Sequence, residues 1–163
     1  MIWFGTRTSL RRLSYADRTL VIDSMDVVRD LGVLLDSELT LKHHINRIAS
    51  ACFYHLRRLR QLKRHVGVEV MKKLISPFIF SRLDYCNALL IGLPFSTIAP
   101  LRRVQNAAAR LLWGLSRRDH VRPALKELHW LPVVYRIQFK VALVMFTIHI
   151  RRCPDDLGDS VQA

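Results

Sequence analysis

The chain has 163 residues, with 26 Lys and Arg against 13 Asp and Glu, a formal net charge of +13, and half of its residues hydrophobic. A mean hydropathy of +0.12 excludes a globally disordered chain, which would combine high charge with low hydrophobicity, and the length suits one domain or one domain with a small appendage. The charge is uneven: residues 1–40 hold five basic and six acidic side chains, whereas residues 41–163 hold 21 and seven.

Residues 1–38 read as a β element. Ile2-Trp3-Phe4 ends at Gly5, Thr19 to Ile22 is β-branched, and Val27 to Leu35 gives a third extended segment closed by Asp36-Ser37. Two or three short strands do not bury themselves in isolation, so this element needs the helices behind it or a larger sheet.

From Thr40, a candidate cap, the period becomes helical and residues 39–163 read as a helical region. Leu41, Ile45, Ile48, Cys52, Leu56, Leu59 and Leu62 follow at steps of three and four, within an arc of about 120°. Lys42, Arg47, Arg57, Arg58, Arg60 and Arg64 take the opposite arc, with Phe53 and Tyr54 between them, and no acid occurs from residue 41 to 64. A helix face of cations without carboxylates repels itself unless an anion lies against it; a plain solvated face is the alternative.

A second helix runs from Val68 to about Leu83, with Pro77 as a kink or break. The next begins near Thr97, with Pro100 in its first turn and Gly114 as its stop. Its buried stripe is Leu101, Val104, Ala108, Leu111 and Leu112; Arg102, Arg103, Asn106 and Arg110 share the other side. Trp113 points to that polar side, as a contact with another element in preference to a stacking surface. A loop with Arg117, Arg118 and Arg122 leads to a short helix over Pro123 to Leu128, and Trp130-Leu131-Pro132 breaks the chain. The last helix, Val133 to about Arg151, is apolar on several faces and is expected in the core, with Cys153-Pro154 ending it. The fold class expected is therefore α+β, mainly α: a short antiparallel β element followed by an irregular bundle of about five helices.

Catalytic patterns are sparse. Tyr15-Ala16-Asp17-Arg18 has the outline of a Tyr-x-Asp-Asp hairpin, but Arg18 stands where a second carboxylate would share divalent ions, so a polar turn is the reading. Asp155-Asp156 follows Pro154 and reads as a solvated tail. His44, Cys52 and His55 share a helical face, yet His44 and His55 are separated by about 16 Å of helix and cannot ligate one ion. The expectation is no catalytic residue, no metal site, no cofactor and no small-molecule substrate. The odd count of Cys52, Cys86 and Cys153, without a Cys-x-x-Cys pair, fits a reducing intracellular compartment rather than a disulfide framework or zinc module. Arg7, Arg11 and Arg12 follow rather than precede the apolar Met1 to Phe4, so no signal peptide is expected. The longest nearly apolar run, Val141 to Ile150, is about half a membrane span. The basic excess therefore points to nucleic acid before a membrane surface.

Four ordered segments are more specific. Ser81-Arg82-Leu83-Asp84-Tyr85-Cys86-Asn87-Ala88-Leu89-Leu90 with Gly92-Leu93-Pro94 comes first, and Val104-Gln105-Asn106-Ala107-Ala108-Ala109-Arg110 follows. Leu128-His129-Trp130-Leu131-Pro132-Val133 and then Arg136-Ile137 with Phe139-Lys140 complete the set. Together they resemble the C-terminal part of the reverse transcriptase of LINE/jockey-like non-LTR retrotransposons. Ile2-Trp3-Phe4-Gly5 and Val28 to Asp36 look like the strands that lead from the palm into the thumb, while Cys153-Pro154-Asp155-Asp156-Leu157 departs from the family's Ala-Pro-x-Tyr-Leu.

The resemblance implies the end of a palm plus a thumb, with the fingers and the magnesium-binding aspartates of the parent RNA-directed DNA polymerase lying upstream. It implies sequence-independent holding of an RNA/DNA template-primer through phosphates and sugars. Lys42, Arg47, Arg57, Arg58, Arg60 and Arg64 are the first candidate contacts, Arg102, Arg103 and Arg110 the second, and the Arg117, Arg118, Arg122 loop the third. The missing palm and fingers are a further expected partner. Asp84 and Asn87 are expected to organise a turn through backbone bonds, and Trp130 and Pro132 to fix the approach of the last helix. A stand-alone basic module for nucleic acid or protein, and a non-functional relic, are the alternatives.

Overall fold

The structure, a computed structural model, describes residues 27–153. The strands expected at Ile2 to Phe4 and Thr19 to Ile22, the Tyr15 to Arg18 turn and the Asp155-Asp156 pair lie outside those residues. Val27 to Asp36 is a hairpin, not one extended segment: β1 (Val27–Asp30) pairs antiparallel with β2 (Val33–Asp36), Asp30 opposite Val33. Leu31 (φ 43) and Gly32 (φ 86) form the two-residue turn, both left-handed, which is the geometry that matches strand twist. Leu31 in place of the usual Asn or Asp hid this turn from the sequence.

Behind the hairpin, Asp36 is buried and its two carboxylate oxygens accept bonds from Thr40, the backbone N–H at 2.7 Å and the hydroxyl at 2.8 Å. Thr40 is thus held by Asp36 one residue short of the capping position, which Leu41 occupies at φ 55. Helix α1 (Lys42–Leu62) follows and buries His44, Ile45, Ala49, Cys52, Leu56 and Leu59; Leu62 is exposed.

The kink at Pro77 takes the form of a widened helical turn. Helix α2 (Val68–Ile75) continues as a π-helical segment, Ser76–Phe80, and then α3 (Ser81–Asp84). The Pro77 carbonyl accepts from the Ser81 hydroxyl, and Arg82 Nη1 donates to the Phe78 carbonyl at 2.9 Å, so side chains from the following turn bond carbonyls of the widened one. After a 3₁₀ turn, Asn87–Leu90, helix α4 (Phe95–Trp113) starts two residues earlier than expected, because extended Pro94 gives its carbonyl to Thr97 and Ile98. Pro100 consequently lies inside the helix, past its first turn. The predicted stripe of Leu101, Val104, Ala108, Leu111 and Leu112 is buried, with Ile98, Gln105 and Ala109, and Gly114 (φ 69) ends the helix.

Helices α1 and α4 make the most extensive pairing in the fold and α2 packs on α4, giving one core of Ile45, Cys52, Met71, Ile75, Leu101 and Val104. Helix α5 (Arg122–Glu127) is short, and α6 (Val133–His149) follows it. The expectation that α6 lies in the core is overturned: only Val133 and Ile137 are buried, while Phe139 is 63% and Phe146 59% exposed. Its apolar residues surround the helix instead of forming a stripe, and its contacts are with the 3₁₀ turn, α4 and α3. The architecture is α+β, mainly α: an antiparallel hairpin followed by an irregular helical bundle.

Candidate nucleic-acid interface

The buried stripe of α1 fixes the direction of its other face. Lys42, Arg47, Arg57, Arg58 and Arg60, with Arg64 just beyond the helix end, are all exposed along a rod about 30 Å long. Among the described residues the ion pair formed is Arg136 with Asp84, so none of these six cations is neutralised by a described carboxylate. Half-exposed Tyr54 sits on the same face.

The ends of α1 and α4 lie together, since a Cβ on Gly114 would stand 3.4 Å from Lys63 Nζ. Lys63 thereby places a cation at the C-terminus of α4, where backbone carbonyls favour it. Exposed Arg60 and Arg64 flank Lys63 in the chain, and exposed Arg117 and Arg118 follow Gly114. Arg102 and Arg103 are exposed on α4 as expected. Arg110 departs from the expected set: its Nε donates to the Ser116 carbonyl at 3.2 Å and its Nη2 to the Asp119 carbonyl at 3.4 Å, so it is occupied in holding the loop. Trp113 is 41% exposed.

The four motif segments meet in the fold. Arg136 grips Asp84 with both arms, Nε to Oδ1 at 2.8 Å and Nη2 to Oδ2, and lies 4.7 Å over the Phe80 ring. Phe80 in turn meets Trp130 edge-on at 4.6 Å. Gln105, 1% exposed, donates to the Leu131 carbonyl at 2.8 Å and accepts from the Val133 N–H at 3.1 Å, bracketing Pro132. Tyr85 donates its hydroxyl to the Leu31 carbonyl, and its ring leans on Gly32, tying the hairpin to the helices. The expected backbone bonds of Asp84 and Asn87 are replaced by side-chain ones: Asn87 Nδ2 donates to Asp84 Oδ1 at 3.4 Å, while buried Asn87 Oδ1 has no partner among the described residues. Sequence reasoning missed Gln105 and Arg136. A lone amide on an otherwise apolar stripe was the available signal for Gln105; for Arg136 it was its place in a motif segment, which named no partner.

The histidines do separate work. His44 Nδ1 accepts from the Leu34 N–H at 3.4 Å, and burial, helped by Arg47, pulls its pKa below the usual value. His55 packs between Tyr54 and Phe78 rings at 5.4 and 5.3 Å. Cys52 lies 4.0 Å from the Ile79 carbonyl, and burial pushes its thiol up to about 11, which makes it an inert core group. Among the described residues no group of three or more His, Cys, Asp or Glu side chains is placed to hold a metal ion, and no helix is long and apolar enough to cross a membrane. Comparison with family models, curated proteins and solved structures gives no match.

Proposed function

We propose that this chain is a thumb-type piece of a retrotransposon reverse transcriptase and binds an RNA/DNA template-primer duplex without regard to sequence. The observation that carries the reading is the exposed, acid-free face of α1, whose cations lack carboxylate partners among the described residues. Such a face is repulsive by itself and becomes favourable against a row of phosphates. The motif segments support the reading by building the knot that sets α6 and the hairpin on the bundle. In this reading the magnesium-binding aspartates belong to the palm of the parent enzyme, so the chain alone gives no primer extension in Mg²⁺.

The test is fluorescence anisotropy with a labelled blunt RNA/DNA hybrid across a salt series. Six phosphate contacts predict a log–log salt slope of about −5, and Arg57→Glu, Arg58→Glu and Arg60→Glu together should flatten it by about 3 while circular dichroism stays unchanged. Absence of binding at low salt, or an unaltered slope in the triple variant, sinks the proposal. The exposed apolar side chains of α6 favour a second reading, a protein-interaction module, under which the triple variant keeps its function.

A further inference from the structure

Between α5 and the start of α6 lies an open groove of about 390 Å³, a volume suited to a small ligand. Trp130, Leu131 and Pro132 give it a mostly apolar wall, and Arg122, Lys126 and His129 stand around it. Arg122 and Lys126 are exposed one helical turn apart, and among the described residues no carboxylate lines the groove. The Trp130 ring is steadied from behind by Phe80, itself held under Arg136.

The turn that shapes the groove carries an unusual residue. Helix α5 closes with Trp130 N–H donating to the Leu125 carbonyl at 2.9 Å and His129 N–H to the Lys126 carbonyl at 3.0 Å. That closure requires a left-handed residue, and His129 adopts φ 53 where glycine is the usual occupant. The chain thus keeps an imidazole beside the groove at a steric cost that glycine would avoid.

We propose that this groove binds one nucleoside phosphate, the base against Trp130 and Leu131 and the phosphate between Arg122 and Lys126. A bare anion would leave the apolar wall unused, and an uncharged apolar ligand would leave both cations unused; a base joined to a phosphate engages both. An aromatic surface beside cations is the general chemistry by which unpaired nucleotides are held. The proposal rests on the nucleic-acid reading and adds to it a site for an unpaired nucleotide. The same chemistry is offered by a free nucleotide, and the experiment separates the two sources.

The full chain is titrated with the blunt hybrid, with the same hybrid carrying a single-stranded overhang, and with an abasic overhang. The overhang should tighten binding by about five- to tenfold, and the abasic overhang should recover little of that gain. Lys126→Gln, and separately Leu131→Asp, should remove the gain while blunt-hybrid affinity stays within about twofold, whereas Arg122→Gln, at a candidate duplex contact, should lower both. These three side chains are exposed, so folding is not at stake as it would be for Trp130. In parallel, adenosine monophosphate is titrated while the Trp130 indole N–H resonance is followed. A saturable shift without an overhang gain supports the groove and assigns it to the free nucleotide. No shift and no gain, an abasic gain equal to the intact one, or a gain that survives the variants overturns the proposal. If the blunt hybrid fails to bind, the duplex reading falls, and the monophosphate titration alone decides the groove.

Discussion

His44 shows how one side chain can tie the pH response of the fold to a single hydrogen bond. Its ring is buried, Nδ1 accepts the Leu34 N–H, and Arg47 stands nearby, so a proton would place charge in the interior and remove the acceptor. The folded pKa is therefore lowered from 6.5, whereas the unfolded chain titrates at the ordinary value. Above that value both states are neutral and stability is full. As pH falls through it, the unfolded state takes up the proton first, and stability declines until the folded ring also titrates. His55, lowered by burial and then by Arg82, acts in the same direction. Urea midpoints measured at successive pH values should fall on acidification below about pH 6.5, and His44→Asn should make the fall shallower. A midpoint that rises over that interval contradicts the burial of a neutral His44.

At the scale of elements, Gln105 joins α4 to α6 through two backbone groups that Pro132 separates. Replacing it with Leu keeps the volume close but strands the Leu131 carbonyl and the Val133 N–H, a cost of about 2 to 4 kcal/mol from two unsatisfied groups. Chemical denaturation of Gln105→Leu measures it, and a loss below about 1 kcal/mol would mean that water or a shifted backbone satisfies both groups. The stripes of α1 and α4 and the stop at Gly114 were legible in sequence because periodicity and a left-handed glycine are local signals. The hairpin was not, since Leu31 lacks the polar signature of its turn. Gln105 and Arg136 were half-legible at best, because their partners lie far along the chain and only the fold brings them near. On the candidate interface, the α1 cations follow directly from the wheel of the helix. Arg110 does not, because its bonds to Ser116 and Asp119 depend on how the loop returns.

Across the whole molecule, burial is concentrated on α1, α2 and α4, and the distal part of α6 stands apart from it. Val133 and Ile137 anchor the helix, but from Phe139 to His149 no side chain is buried. An eleven-residue stretch falls below the length at which an isolated helix is stable in water, and Val141, Val144, Thr147 and Ile148 lower its propensity further. Its amides should consequently open locally, whereas those of α4, bracketed by α1, α2 and α6, should open only with the core. Native-state hydrogen exchange should therefore find residues 142–149 exchanging about a hundredfold or more faster than residues 104–112. Equal protection in the two stretches would mean that the apolar faces of α6 are covered in solution, by another copy or by chain outside residues 27–153. Dilution separates these cases, because only cover by a second copy is lost as concentration falls.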